Sequence, residues 1–430
     1  MRWRRRGIAL LAAAALLVLT GCGGDSGGSG GGQASGDQVT IDFWHIGTQE
    51  PFRSLRVQQA KEFMQAHPNV KINVQAIEND AFKSKMTTVA QTGDLPDIFH
   101  SWGGGVLKQQ IEAGLVKDLT NDISSWSDTL TRSSLVPYTF DDKIYGVPFS
   151  AGMVGFWYNK KHFKQAGIEE PPATWSEFLE AVKKLKAANI TPIALAGGES
   201  WTAHFYWAYL VLRIGGLDAL KQAEQTRDFS GPAFVEAGRK LKELVDLQPF
   251  QKGFLAAKYN TPDGQAATVG NGKAAMELMG QWAPSVQKET SGKGLGDDLG
   301  FFPFPAVDGG QGDANIAFGG ADGYAVAADA PAEAIEFLKF ISSLESQKEL
   351  AAQGVIQPVV KGAEEALKDP NLRKLGEVLA SASGFQLYLD QAFPPEVGNQ
   401  VNDSVAALIA GKATPEEVAQ AITKTAKEAE

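Results

Sequence analysis

Val39-Thr40-Ile41-Asp42-Phe43-Trp44 opens the run that decides the fold. Val39, Ile41 and Phe43 alternate with Thr40, Asp42 and Trp44, the two-residue period of a half-buried strand. Phe52, Leu55, Phe63 and Met64 follow at helical spacing, and Pro68-Asn69 ends that run. Val70, Ile72 and Val74 then alternate again. Strand, helix, strand in this order is the opening of an α/β chain with mainly parallel sheets.

The alternation continues outward. A helix over 81–91 is followed by Gly93, a short strand over 97–100, a Gly103-Gly104-Gly105 loop, and a helix over 106–113 closed by Gly114. Thr174 and Glu177 form a capping box for a helix reaching about Ala188. A strand is expected over 193–195, and an apolar helix over 202–214 ended by Gly215-Gly216. Further strands are expected over 274–278 and 324–327. The C-terminal third reads as helices over 332–343, 346–353 and 415–427, the last behind a second capping box at Thr414 and Glu417. No short-period repeat is visible.

Toward the N-terminus, Arg2, Arg4, Arg5 and Arg6 precede an apolar stretch of 12 residues, 8–19. That length fits the apolar core of an export signal and is short of a ~20-residue membrane span. Leu19-Thr20-Gly21-Cys22 resembles the bacterial lipobox, so residues 1–21 read as a lipoprotein signal peptide and Cys22 as the lipidated residue. Two acyl chains at one point anchor stably where one does not. Residues 22–37 are Gly/Ser-rich and read as a flexible tether. Cys22 is the single cysteine of the 430 residues, so neither an internal disulfide nor a cysteine-built zinc site is available. Losing the four arginines takes the formal net charge from −10 to −14. That sign disfavours nucleic acid and broad docking on an anionic bilayer.

In α/β sheets, ligands bind beyond the carboxyl ends of the strands. The loops to inspect are therefore 44–50, 78–80, 101–105, 197–201, 280–282 and 318–322. Four of the nine tryptophans lie there: Trp44, Trp102, Trp201 and Trp282. An indole face stacks on the C–H face of a pyranose, and His45, Gln49, Glu50, Asn79, Asp80, Ser101, Gln281 and Asp322 offer polar partners for its hydroxyls. Trp126, Trp157, Trp175 and Trp207 read as packing. The Gly103-Gly104-Gly105 loop lacks the Lys-Ser/Thr of a phosphate loop, and there is no His-Glu-x-x-His. A glycoside hydrolase needs only two carboxylates, and the sequence leaves such a pair open.

The chain resembles the family 1 extracellular solute-binding proteins, the carbohydrate receptors of ABC importers. The resemblance is carried by Phe43-Trp44, by Thr92-Gly93-Asp94-Leu95-Pro96-Asp97-Ile98, and by Lys143-Ile144-Tyr145-Gly146-Val147-Pro148 ahead of Trp157-Tyr158-Asn159-Lys160. Gly272-Lys273-Ala274-Ala275-Met276 before Gly280-Gln281-Trp282, and Gly319-Gly320 before a strand and helix, complete it. It implies a two-lobed, type II-like periplasmic-binding-protein α/β fold with a hinge. The N-terminal lobe would hold 38–149 and 316–345, and the C-terminal lobe 150–315 and 346–430. Crossings are expected near 147–152, 305–317 and 342–346. The ligand is expected between the lobes, facing Trp44, His45 and Glu50, Ser101, Trp102 and Gly103, Trp282, and Gly319, Gly320 and Asp322. Phe149 would form the floor and Glu396 a further contact. The resemblance implies binding without catalysis, no cofactor or metal, permease subunits of an ABC importer as partners, and a lipid-anchored monomer on the outer face of the cytoplasmic membrane. The overall look is nearest to receptors for xylo-oligosaccharides, such as xylobiose; chitobiose, cellobiose and maltose-type ligands stay open. A tethered hydrolase, a receptor for a polyamine or phosphate ester, and a sugar sensor without a transporter are the competing readings.

Overall fold

The computed structural model describes residues Gln38–Ala429. The signal, the lipidation site and the tether therefore lie outside the described residues. Gln38–Glu430 forms a compact unit of its own.

Eleven strands occur among the described residues: β1 (Val39–His45), β2 (Val70–Ala76), β3 (Ile98–Ser101), β4 (Thr139–Phe140), β5 (Lys143–Ile144), β6 (Val147–Met153), β7 (Gly155–Asn159), β8 (Met276–Met279), β9 (Leu299–Phe302), β10 (Ile316–Val326) and β11 (Gly384–Leu387). The larger sheet runs β11-β10-β3-β1-β2, with β6 on β10. β1 is parallel to β2 and β3. The alternation of β1 is realised directly: Ile41, Phe43 and His45 point into the core while Thr40 and Asp42 face solvent. The helix Phe52–Ala66 covers this sheet with Leu55, Ala60 and Phe63. Its buried Arg56 donates to Gln59, and Gln59 donates to Ser346 Oγ at 2.7 Å. That contact ties the first helix to the segment where a crossing is expected.

The sheets are less parallel than the strand–helix alternation suggests. β10 is antiparallel to β3 and β6, and the second sheet, β8-β7-β9, is antiparallel throughout. In the larger sheet the difference comes from β10 and β6. β10 pairs with β11 through Ile316–Gly319 and with β3 through Gly323–Val326. β6 runs back along it, Gly319 opposite Met153 and Tyr324 opposite Val147. The alternation over 324–327 reveals only the last part of this strand, whose Gly319-Gly320 start has no pattern to read.

One further expectation changes. The segment 193–195 makes isolated bridges from Ile193 to Phe250 and Met276 and is no full strand. The apolar helix from Trp201 ends at Gly215-Gly216 as read: Gly216 (φ 70°, ψ −173°) is non-helical, and a second helix follows it to Thr226. Both capping boxes form as read. Trp126, Trp157, Trp175 and Trp207 are buried, as expected of packing residues. Helices Pro232–Asp246, Pro395–Ile409 and Pro415–Glu428 pack with Trp201–Thr226 and with one another in the second lobe.

Candidate functional site

β6 and β10 floor a cleft of about 1140 Å³ of unfilled space, open to solvent. Phe149 on β6 and Asp322 on β10 supply the floor. One wall carries Glu50, Asn79, Lys83 and Trp102; the other carries Glu199, Trp201, Tyr259, Trp282 and Tyr388.

The floor is held by hydrogen bonds. Asp322 lies 3.4 Å from His100 Nε2 and accepts from Gln281 Nε2 at 3.3 Å. Phe149 stacks on Tyr324 at 4.8 Å, and the Arg56 guanidinium lies 5.0 Å from the Phe149 ring. The aromatic walls brace one another edge to face: Trp201 against Tyr259 and Phe205, Trp282 against Tyr388, Trp102 against His100 at 4.4 Å. Rings held this way keep their faces fixed without a bound partner, which lowers the ordering cost of binding.

The electrostatics are uneven. Asp390 is buried, and burial pushes its carboxyl up, but the Lys83 ammonium at 2.9 Å outweighs this and holds it at about 2. Glu199 is pushed up to about 7 by burial, although it accepts from the Tyr259 backbone N–H at 2.9 Å. Five carboxylates line the cleft against one lysine, which is already paired. The cleft therefore repels anionic ligands.

Of the residues singled out by sequence, Gln49, Glu50, Asn79, Trp102, Phe149, Trp201, Trp282 and Asp322 line this cleft. The others do not. Trp44 lies under the Lys85 ammonium, 3.5 Å from its ring centre. His45 is fully buried beneath the floor; burial first, then Arg56 and His100, holds it near 3, so it is neutral there. Asp80 is exposed and accepts from Asn79. Ser101 turns its hydroxyl to the Gly103 N–H. Gly103 (φ 74°) sits against Pro137, where a Cβ would come within 2.3 Å of a carbonyl. Gly319 and Gly320 serve strand packing: a Cβ would meet Gly152 O at 2.1 Å or the Tyr388 ring at 2.3 Å. Glu396 lines a neighbouring space instead.

Several cleft residues escaped the sequence reading. Tyr388 and Asp390 come from 389–392 and its preceding turn, far along the chain from every strand-end loop inspected. Tyr259 and Asn260 come from a loop without regular structure. Lys83 and His100 sit inside elements read for their apolar pattern. Gln281, a candidate, acts from behind Asp322.

The model of the bacterial extracellular solute-binding protein family matches residues 47–348. The chain belongs to that family. It is 27% identical over 385 residues to the multiple sugar-binding protein of Streptococcus mutans, covering 86% of each chain. It is 28% identical over 367 residues to the diacetylchitobiose binding protein DasA of Streptomyces coelicolor, covering 82% of each. Among solved structures, a chitin oligosaccharide binding protein superposes with a TM-score of 0.85 at 30% identity, over 92% of this chain and 99% of that one. A protein solved in work on xylan utilization by the thermophilic bacterium Caldanaerobius polysaccharolyticus superposes at 0.83 and 27% identity, over 90% and 99%. The two-lobed α/β fold is thus that of this extracellular solute-binding family.

Proposed function

We propose that the protein is the sugar-binding component of an ABC importer, holding a neutral oligosaccharide between its lobes and presenting the closed form to the permease subunits. The observation that carries this reading is the cleft itself. Braced indole and phenol faces stand with Glu199 on one wall, Trp102 with Glu50 and Asn79 on the other, and Asp322 lies on the floor; these polar groups would meet the sugar hydroxyls. Sugar-binding relatives and a chitin oligosaccharide binding neighbour support it. Ligand would favour closure by its greater affinity for the closed state. The ligand leaves unchanged, so the protein acts by binding and not by chemistry, as a monomer and without a cofactor.

The lobes divide at the hinge, 38–149 with 316–345 against 150–315 with 346–430. Among the described residues no helix is long and apolar enough to cross a membrane. Attachment to the outer face of the cytoplasmic membrane falls to a lipid on Cys22. A Cys22→Ser chain should leave the membrane fraction; its retention there would refute the anchor.

The test of function is thermal shift of the protein lacking residues 1–37. The panel holds β-1,4-linked xylo-oligosaccharides, chitin oligosaccharides, maltose and cellobiose, with spermidine and glycerol 3-phosphate as controls. A ligand that binds only the folded state raises Tm by mass action. We expect a shift with one sugar series and its recovery uncleaved. A shift confined to spermidine or the phosphate ester, or release of monosaccharides, would overturn the reading.

A further inference from the structure

A second space adjoins the cleft. It holds about 1440 Å³ between the helices Asn79–Thr92 and Gly104–Glu112 on one side and Pro395–Ile409 on the other. The two spaces share Lys83, His100, Trp102, Asp390 and Gln391. These residues form a neck. Trp102 presents a ring to both sides, braced by His100 at 4.4 Å, with the Lys83 ammonium 5.1 Å from its centre. The Lys83–Asp390 pair joins the two walls at the same place.

The chemistry beyond the neck differs from that of the cleft. The second space has fewer aromatic rings and carboxylates, and four amide side chains line it past the shared Gln391: Gln91, Gln109, Gln110 and Asn399. An amide donates and accepts at once, as a hydroxyl does, so amides match either role of a sugar hydroxyl without a charge. Asp390 is already neutralised by Lys83, which leaves Glu396 as the one unpaired charge among the lining residues. The two spaces meet at these shared residues, so a chain that outgrows the cleft has a contiguous space to enter.

We propose that this second space is an extension subsite, and that the ligand is a neutral oligosaccharide of three or more units whose chain passes Trp102 from the aromatic cleft into the amide-lined chamber. The inference rests on the cleft being a sugar site. Trp102 would then stack on a ring at the junction, and Glu396 would contact the far end of the chain rather than the cleft. The glutamate there repels an acidic sugar, which restricts the ligand to uncharged chains.

The experiment is isothermal titration calorimetry of the protein lacking residues 1–37. The probes are xylo-oligosaccharides and chitin oligosaccharides of two to five units. In the series that binds, affinity should climb about tenfold or more between two and four units, a step of ~1.4 kcal/mol. Gln110→Trp, which fills the chamber from the first lobe, should erase that climb and leave disaccharide affinity within about twofold. Asn399→Trp, from the opposite wall, should do the same and serves if the first variant fails to fold. Affinity that is flat beyond two units, or a climb untouched by both variants, would overturn the extension subsite while the cleft reading stands. Failure of every sugar, including the disaccharides, would overturn both readings together.

Discussion

The core around β7 and β8 and the neck of the cleft use the same residue types, tryptophan and carboxylate, to opposite ends. In the core, Trp157 is fully buried and its Nε1 donates to Met279 O at 3.0 Å. Glu277, equally buried, meets only the amides of Gln265 and Gln287, and burial pushes it up to about 7. At the neck, Trp102 keeps a face open, and buried Asp390 is held at about 2 because Lys83 lies across from it. Burial alone does not set the state of a carboxylate; the presence of a cation does. The core tolerates a group that can shed its charge. The neck keeps a charge whose partner stands on the facing wall, so it registers how the walls sit.

The largest effect that would sharpen this contrast is Trp157→Ala. A cavity in the core and a freed carbonyl should cost ~3–5 kcal/mol in urea unfolding. A loss near zero would mean that the core repacks freely and the two regions are not distinct in kind.

Next comes Lys83→Met. Asp390 is then left buried without a cation, and stability at neutral pH should fall by ~3 kcal/mol. Adding Asp390→Asn should restore most of it. The folded pKa of Asp390 is depressed, so its contribution is present above about 3.8 and is lost as pH falls through about 2. No recovery in the double variant would show that Lys83 acts by packing on Trp102 rather than by charge.

Glu277 has the opposite sign. Its folded pKa is raised, so folding is favoured while it is protonated, and stability falls as pH rises from about 4.5 to about 7. The fall should approach ~3 kcal/mol. Glu277→Gln cannot ionise, so it should remove this share of the pH slope and leave that of Glu199, also pushed up to about 7; a turned Gln287 amide, whose Oε1 has no partner among the described residues, can accept from the new side chain. An unchanged pH slope between 5 and 8 would assign the dependence to another group.

The smallest effect falls on binding. Trp282→Ala should weaken the bound sugar by ~2 kcal/mol, about thirtyfold, in calorimetry. Its unfolding midpoint should move far less than that of Trp157→Ala. Equal loss of stability in both would erase the distinction between cleft and core tryptophans.

Trp157 and Trp282 also show how far the sequence could be read. Trp157, in a strand-like apolar run, is buried in the core, and Trp282, after a strand, lines the cleft. Trp44, at an equally suitable strand end, does not, because Lys85 on the following helix covers its ring. Strand-end position selects residues near a cleft, and the neighbour that caps or frees each one comes from elsewhere in the chain. Tyr388, Asp390 and Tyr259 carried no local signal, since no period or cap marks a residue whose role is set by what faces it.

The sequence by itself determined the α/β elements, both capping boxes, the family likeness and the aromatic character of the site. These are readable because helix period, strand alternation and caps act between residues a few positions apart. Tertiary contacts, by contrast, make β10 and β6 an antiparallel pair, press Gly319 and Gly320 into close strand approach, and bring Lys83 to Asp390 across the neck. Those outcomes join segments as much as 307 residues apart. Only chain closure, packing and the low dielectric of a buried pair settle them.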